Sequence, residues 1–145
     1  MATLRHDSSI TLYNNTAITA AISAAQTDPI KIPADVGIIT FTAKFVYGAD
    51  GTDADMWVQT SADGGSNWHD IVQFHFAQAS LVKIASVNAL LASTHATATN
   101  ASLADNTIVN GYIGTQLRVS YLSTGTYSGT TTMKLTAVLK GLTTR

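Results

Sequence analysis

Residues 56–76, MWVQTSADGGSNWHDIVQFHF, constrain the fold of this chain more than any other stretch. Two runs, 56–60 and 68–76, carry the β-branched, aromatic and amide side chains that suit a pleated, half-buried surface. Between them, Ser61-Ala62-Asp63-Gly64-Gly65-Ser66-Asn67 concentrates turn chemistry. Asp63 can bond the backbone of its own turn, and Gly64 and Gly65 can take positive φ without a Cβ penalty. The second run alternates, which puts Trp68, Asp70, Val72, Phe74 and Phe76 on one face and His69, Ile71, Gln73 and His75 on the other. The expectation is an antiparallel hairpin.

The turn resembles an Asp box, the S/T-x-D-x-G-x-x-W/F hairpin signature of sialidase-type propellers, with Ser61, Asp63, Gly65 and Trp68 in the four fixed positions. The resemblance implies that the Asp63 carboxylate ties down turn amides and that Trp68 packs beneath the hairpin, away from any chemistry. A propeller needs several blades of four strands each, and one copy in 145 residues cannot supply them. The motif is read as a structural staple.

The length suits a single domain spanning residues 1–145. Charged residues make up only 12% of the chain, about half the usual share, while apolar residues reach 46%. Threonine and alanine fill the difference, as in strands packed face to face. A net charge of −1 with scattered Lys and Arg argues against a nucleic-acid partner, whose phosphates call for a basic patch. No run of 18 apolar residues suggests a membrane span, and MATLRHDSS lacks the apolar core of a secretory signal. Without cysteine there is no disulfide framework, thiolate nucleophile or Cys-based zinc site. Synthesis in the cytoplasm is the default.

Outside the hairpin, residues 8–13 form a candidate strand after an N-terminal arm, 1–7. Residues 16–25 fit both an alternating strand and a helical stripe, and strand is preferred because the flanking segments are extended. Pro29 and Pro33 mark an extended edge, since proline cannot donate to a central ladder. Residues 37–47 form a long strand with Ile39, Phe41, Ala43, Phe45 and Tyr47 inward, and 81–87 another. The segment from Asn88 to Asn106 is small and polar without a sustained period, and reads as a long loop. Leu117, Val119 and Tyr121 alternate in the next strand. Met133, Leu135, Ala137 and Leu139 point inward from the last, before a tail, 141–145. About eight strands, turns at short intervals and no convincing long helix point to an all-β fold. Its architecture is an antiparallel β-sandwich, either jelly-roll-like or immunoglobulin-like. The cysteine pair of antibody domains is missing.

Catalytic chemistry is nearly absent from the pattern. His6, His69, His75 and His95 are dispersed. His69 and His75 share a strand face but stand roughly 20 Å apart at about 3.3 Å per residue. No G-x-S-x-G, P-loop or H-E-x-x-H occurs. Asp50, Asp53 and Asp55 form a weak calcium candidate, but an EF-hand would need a glutamate where Ser61 stands. Trp57, Trp68, Phe74 and Phe76 are candidates for a sugar platform, with core packing the stronger reading. No cofactor is implied.

A wider resemblance covers residues 36–140. The acidic loop, DMWVQTSADGGSNWHDIVQFHF, the alanine- and threonine-rich middle and the final TQLRVSYLSTGTYSGTTTMKLTAVLKG together resemble small virion proteins of tailed bacteriophages. That resemblance implies a non-enzymatic structural protein of the virion. The foremost expectation is a capsid decoration or cement protein that binds the major capsid protein, as a homotrimer on the capsid surface. A head–tail connector, tail-tube or tail-tip protein is the second expectation, and a carbohydrate-binding or host-attachment module the third. The loop from Asn88 to Asn106 is the candidate contact segment.

Overall fold

Alternation dominates the long apolar runs of this chain, and strands are what form. The computed structural model describes residues 2–4, 8–92 and 97–144, with side chains for 8–92 and 97–141. His6 and His95 lie outside the described residues. In chain order the strands are β1 (Ala2–Leu4), β2 (Ser8–Asn15), β3 (Ile22–Gln26), β4 (Ile30–Lys31), β5 (Val36–Val46) and β6 (Ala49–Asp50). They continue with β7 (Asp53–Ser61), β8 (His69–Phe76), β9 (Leu81–Asn88), β10 (Gln116–Thr124), β11 (Tyr127–Ser128) and β12 (Thr132–Thr144). No helix is found among the described residues, and hence none long and apolar enough to cross a membrane.

All pairings are antiparallel. In the first sheet β1 and β2 lie end to end along one edge of β12, followed by β5 and β9; in the second, β3 and β4 lie along one edge of β10, followed by β7 and β8. Strands β6 and β11 form a separate short ribbon. The eight longer strands pair in a nested order. β2 pairs with β12, β3 with β10, β5 with β9 and β7 with β8, each pair enclosing the next in sequence. This is the rolled-ribbon order of a jelly roll, which settles the choice left open by alternation alone.

The two sheets bury one face each against the other. Ile39, Phe41, Ala43 and Phe45 of β5 and Met133, Leu135 and Ala137 of β12 are almost completely buried, as their alternation predicts. They meet Met56 and Val58 of β7, Phe74 and Phe76 of β8, and Leu117 and Val119 of β10 in one core. Phe45 and Phe76 stack with ring centroids 5.3 Å apart. Pro29 separates β3 from β4 on an edge, where its missing N–H costs no ladder bond.

The structure differs from the sequence reading in four places. Residues 16–25 contain strand only from Ile22 onward; before it, Ile18 is buried and donates its N–H to the Thr131 carbonyl. Of the N-terminal arm, Ala2–Leu4 pairs with Leu142, Thr143 and Thr144, so the segment read as a polar tail continues β12 as far as Thr144. Pairing supplies backbone partners there that a polar sequence does not announce. The third difference is in β8. Val58 pairs with Val72 but Gln59 with Asp70, so Ile71 is an extra, bulged residue. Beyond the bulge the phase inverts: Trp68 and Asp70 leave the face of Val72, Phe74 and Phe76, and Ile71 joins the core. Finally, β7 is buried along nearly its whole length on both faces, although alternate residues are polar. Residues 97–115 lie across its outer side.

Replacing Phe76 by alanine removes a ring that is 0% exposed at the contact between the sheets. The expected loss is about 3–5 kcal/mol in denaturant unfolding. Lys44→Ala, on the exposed face of β5, should change stability by less than about 0.5 kcal/mol.

Candidate functional site

The tip of the β7–β8 hairpin is tied by its own side chains. Ser61 Oγ donates to Asp63 Oδ1 at 2.9 Å and accepts the Gly65 N–H at 2.9 Å. The Asp63 carboxylate also accepts the Asn67 N–H at 2.8 Å and Asn67 Nδ2 at 2.6 Å. Trp68 Nε1 donates to the Gly65 carbonyl at 3.1 Å. Gly64 and Gly65 take φ of 73° and 93°, which lets the turn close. The Asn67 side chain, then its N–H, then Ser61 hold the Asp63 carboxyl down at a pKa of about 2. Both Ser61 and Asp63 are thereby committed to the turn.

A buried polar seam runs down the outer face of β7 and β8. Asp70 is fully buried and its carboxylate gathers three successive amides, Ala101, Ser102 and Leu103, at 2.9–3.1 Å. Gln59 Nε2 donates to Asp70 Oδ1 and to Asn100 Oδ1, both at 2.7 Å, while Gln59 Oε1 accepts Arg118 Nε at 2.7 Å. The Arg118 guanidinium lies 4.2 Å over the Trp68 ring. Burial pulls the Arg118 pKa below its ordinary range, and the Asp70 charge opposes that shift. Trp57 Nε1 donates to the Leu103 carbonyl at 3.0 Å. Further along, Gln73 accepts the Asn106 N–H at 2.7 Å and donates to Asp55 Oδ1 at 2.8 Å. Segment 97–115 has no strand of its own. It is held by these side chains and by backbone bonds at Thr99, Thr107, Val109, Gly111 and Thr115. At Gly114 the segment touches the hairpin so closely that a Cβ would lie 2.1 Å from the Ser61 carbonyl.

Chemically, the seam holds a loop; its groups bond each other rather than a cavity. A cavity of about 380 Å³ opens beside it, lined by Thr60, Asn67, Trp68, His69, Tyr112 and Gly114 among others. His69 stands edge-on to Tyr112 with centroids 5.3 Å apart, and neither of its ring nitrogens has a hydrogen-bond partner. The structure separates the sugar-platform candidates: Phe74 and Phe76 pack in the core, Trp57 is closed off beneath Leu103, and Trp68 borders the cavity. Of the acidic trio, Asp53 and Asp55 converge with His75, whereas the Asp50 carboxylate accepts the Ser128 hydroxyl. Of the loop from Asn88 to Asn106, residues 97–106 press on their own sheet and Leu90 and Leu91 are exposed.

Sequence reasoning missed the seam. Its signal was the polar set Asp55, Gln59, Asp70 and Gln73, placed in strands that also carry a full apolar face and next to an asparagine-containing loop. No family model and no curated protein matches this chain.

Two outcomes follow for the seam and the tip. Asp70→Ala leaves three loop amides and Gln59 without their acceptor, and should cost at least about 3 kcal/mol in denaturant unfolding. Segment 97–115 should show the largest gain in hydrogen exchange. Because the folded state lowers the Asp63 pKa to about 2 from 3.8, its contribution is present above pH 4 and is lost as pH falls toward 2. The melting-temperature gap between wild type and Asp63→Ala should therefore narrow between pH 4 and pH 2.

Proposed function

We propose that this chain is a non-enzymatic structural protein of a tailed-phage virion, made in the host cytoplasm and assembled on the particle. The specific form is a capsid decoration protein that binds the major capsid protein, as a homotrimer. The resemblance across residues 36–140 supports the reading, and so does the jelly-roll sandwich, an architecture used by viral capsid and lectin domains alike.

The observation that carries it is the distribution of exposed apolar side chains. Leu81, Val82 and Ile84 project from the edge strand β9, Ile84 being 68% exposed, and Leu90 and Leu91 follow directly after it. Ile108 shares a groove with Ile84 at the open end between the sheets. Clustering of this kind marks a surface that another protein covers. Beside it, the outer face of β5 and β12 alternates Thr40, Thr42 and Thr136 with Lys44, Lys134 and Lys140, a threonine- and lysine-bearing surface that a partner of complementary charge fits. Symmetric repetition multiplies an interface on the order of 1,600 Å². The acidic net charge suits a protein partner rather than nucleic acid.

Assembly into the head–tail connector or tail is the second reading, favoured by the same edge strand if it pairs with a neighbour. A glycan-binding role rests on the cavity beside Trp68. Labelled-antibody electron microscopy of particles from the source lysate separates them. Dense label over heads supports decoration, and label at the neck or tail supports the connector reading. Unlabelled particles, with a thermal shift on adding glycans, support the third. With heads in hand, Ile84→Lys should weaken co-sedimentation at least tenfold while leaving the melting temperature within about two degrees, since the side chain is exposed.

A further inference from the structure

Asp53 and Asp55 stand two residues apart on β7 and share its outer face, and the strand register sets His75 of β8 opposite Asp55. One carboxylate oxygen of each aspartate and one ring nitrogen of His75 lie within 4.8 Å of one another. His75 Nδ1 is 2.8 Å from Asp55 Oδ1, and Asp105 Oδ2 is 3.7 Å from the same nitrogen. The Lys83 ammonium is engaged elsewhere, with the His75 carbonyl and Asn106 Oδ1. Asp53 Oδ1 is sealed from solvent and accepts no hydrogen bond. A carboxylate oxygen that has lost its water without gaining a donor is costly, and a cation is the partner that removes the cost. The Tyr127 hydroxyl donates to the Asp53 carbonyl.

We propose that Asp53, Asp55 and His75 bind a divalent transition-metal ion of the zinc class, with the exposed Asp105 carboxylate placed to complete the coordination. Carboxylates alone would suit calcium, but an imidazole nitrogen is a ligand for zinc and its neighbours in the first transition row. Bonds of about 2.0–2.1 Å in tetrahedral geometry put ligand atoms roughly 3.3 Å apart, within the spacing these side chains span. Coordination needs the Nδ1 lone pair, so the proton shared with Asp55 gives way to the ion: a neutral ring carries it at Nε2 instead, and a doubly protonated ring releases it to solvent. Gln73, donating to Asp55 and accepting from Asn106, orients the ligand from behind. The ion is a structural clip: it joins β7 to β8 and, through Asp105, both strands to segment 97–115.

The test uses full-length protein stripped with EDTA and dialysed, titrated with ZnCl₂ by calorimetry and followed by thermal unfolding. One saturable site and a rise in melting temperature are expected, with a smaller response to CaCl₂ at equal concentration; CoCl₂ should give visible absorption bands of a four-coordinate ion. Asp53→Asn and His75→Gln should each weaken zinc binding at least tenfold, while His69→Gln, at the other end of β8, leaves it unchanged. Should one site variant fail to fold, the other decides. No zinc binding, wild-type affinity in the folded site variants, or a calcium response equal to that of zinc overturns the proposal.

Discussion

The carboxylate of Asp70 is the constraint on which the outer half of this molecule depends. A segment without secondary structure can be packed against a sheet only if its amides and carbonyls find partners there. Asp70 supplies an acceptor for three consecutive amides of residues 101–103, and Ala101 adopts the left-handed conformation, at a φ of 54°, that lets them converge. The charge so buried is balanced through Gln59 by Arg118, which is itself covered by Trp68. Each member is satisfied by the next, and a buried polar network is stable only on that condition.

The seam and the apolar core are two sides of the same two strands. Core residues Met56, Val58, Phe74 and Phe76 alternate with Asp55, Trp57, Gln73 and His75, so the hairpin is buried twice, once by the opposite sheet and once by segment 97–115. The bulge at Ile71 makes this possible. Without the extra residue, Asp70 would stay in phase with Val72 and face the apolar core, where no donor awaits it. The Asp63 staple closes the same hairpin at its tip, and Gly114 lets the covering segment reach it. The covered half of the molecule is therefore tied down on both faces. The adjoining edge, at β9, carries most of the exposed large apolar side chains.

Much of the sandwich was legible in the sequence because a strand buried on one face must alternate. Ile39, Phe41, Ala43 and Phe45, and Met133, Leu135, Ala137 and Leu139, could be read inward from spacing alone, and the turn at 61–67 from its Asp and Gly residues. The polar seam was not legible. An alternating Asp or Gln reads as solvent-facing, and only a covering layer from a distant part of the chain turns it inward. The same holds for residues 141–144, whose polar sequence conceals a strand that exists because Ala2–Leu4 pairs with it.

What the sequence determined by itself is local: strand positions, the inward faces of β5 and β12, the hairpin turn and the low charge of the surface. Each follows from side-chain period or turn chemistry within a few residues. The tertiary structure decided the nested jelly-roll order, the bulge that turns Asp70 outward, and the meeting of Asp53, Asp55 and His75. The jelly-roll order depends on pairing between residues far apart in the chain, and the bulge and the Asp–His meeting on the register inside the β7–β8 hairpin; a period-two pattern specifies which face a residue takes but not which residue it will meet.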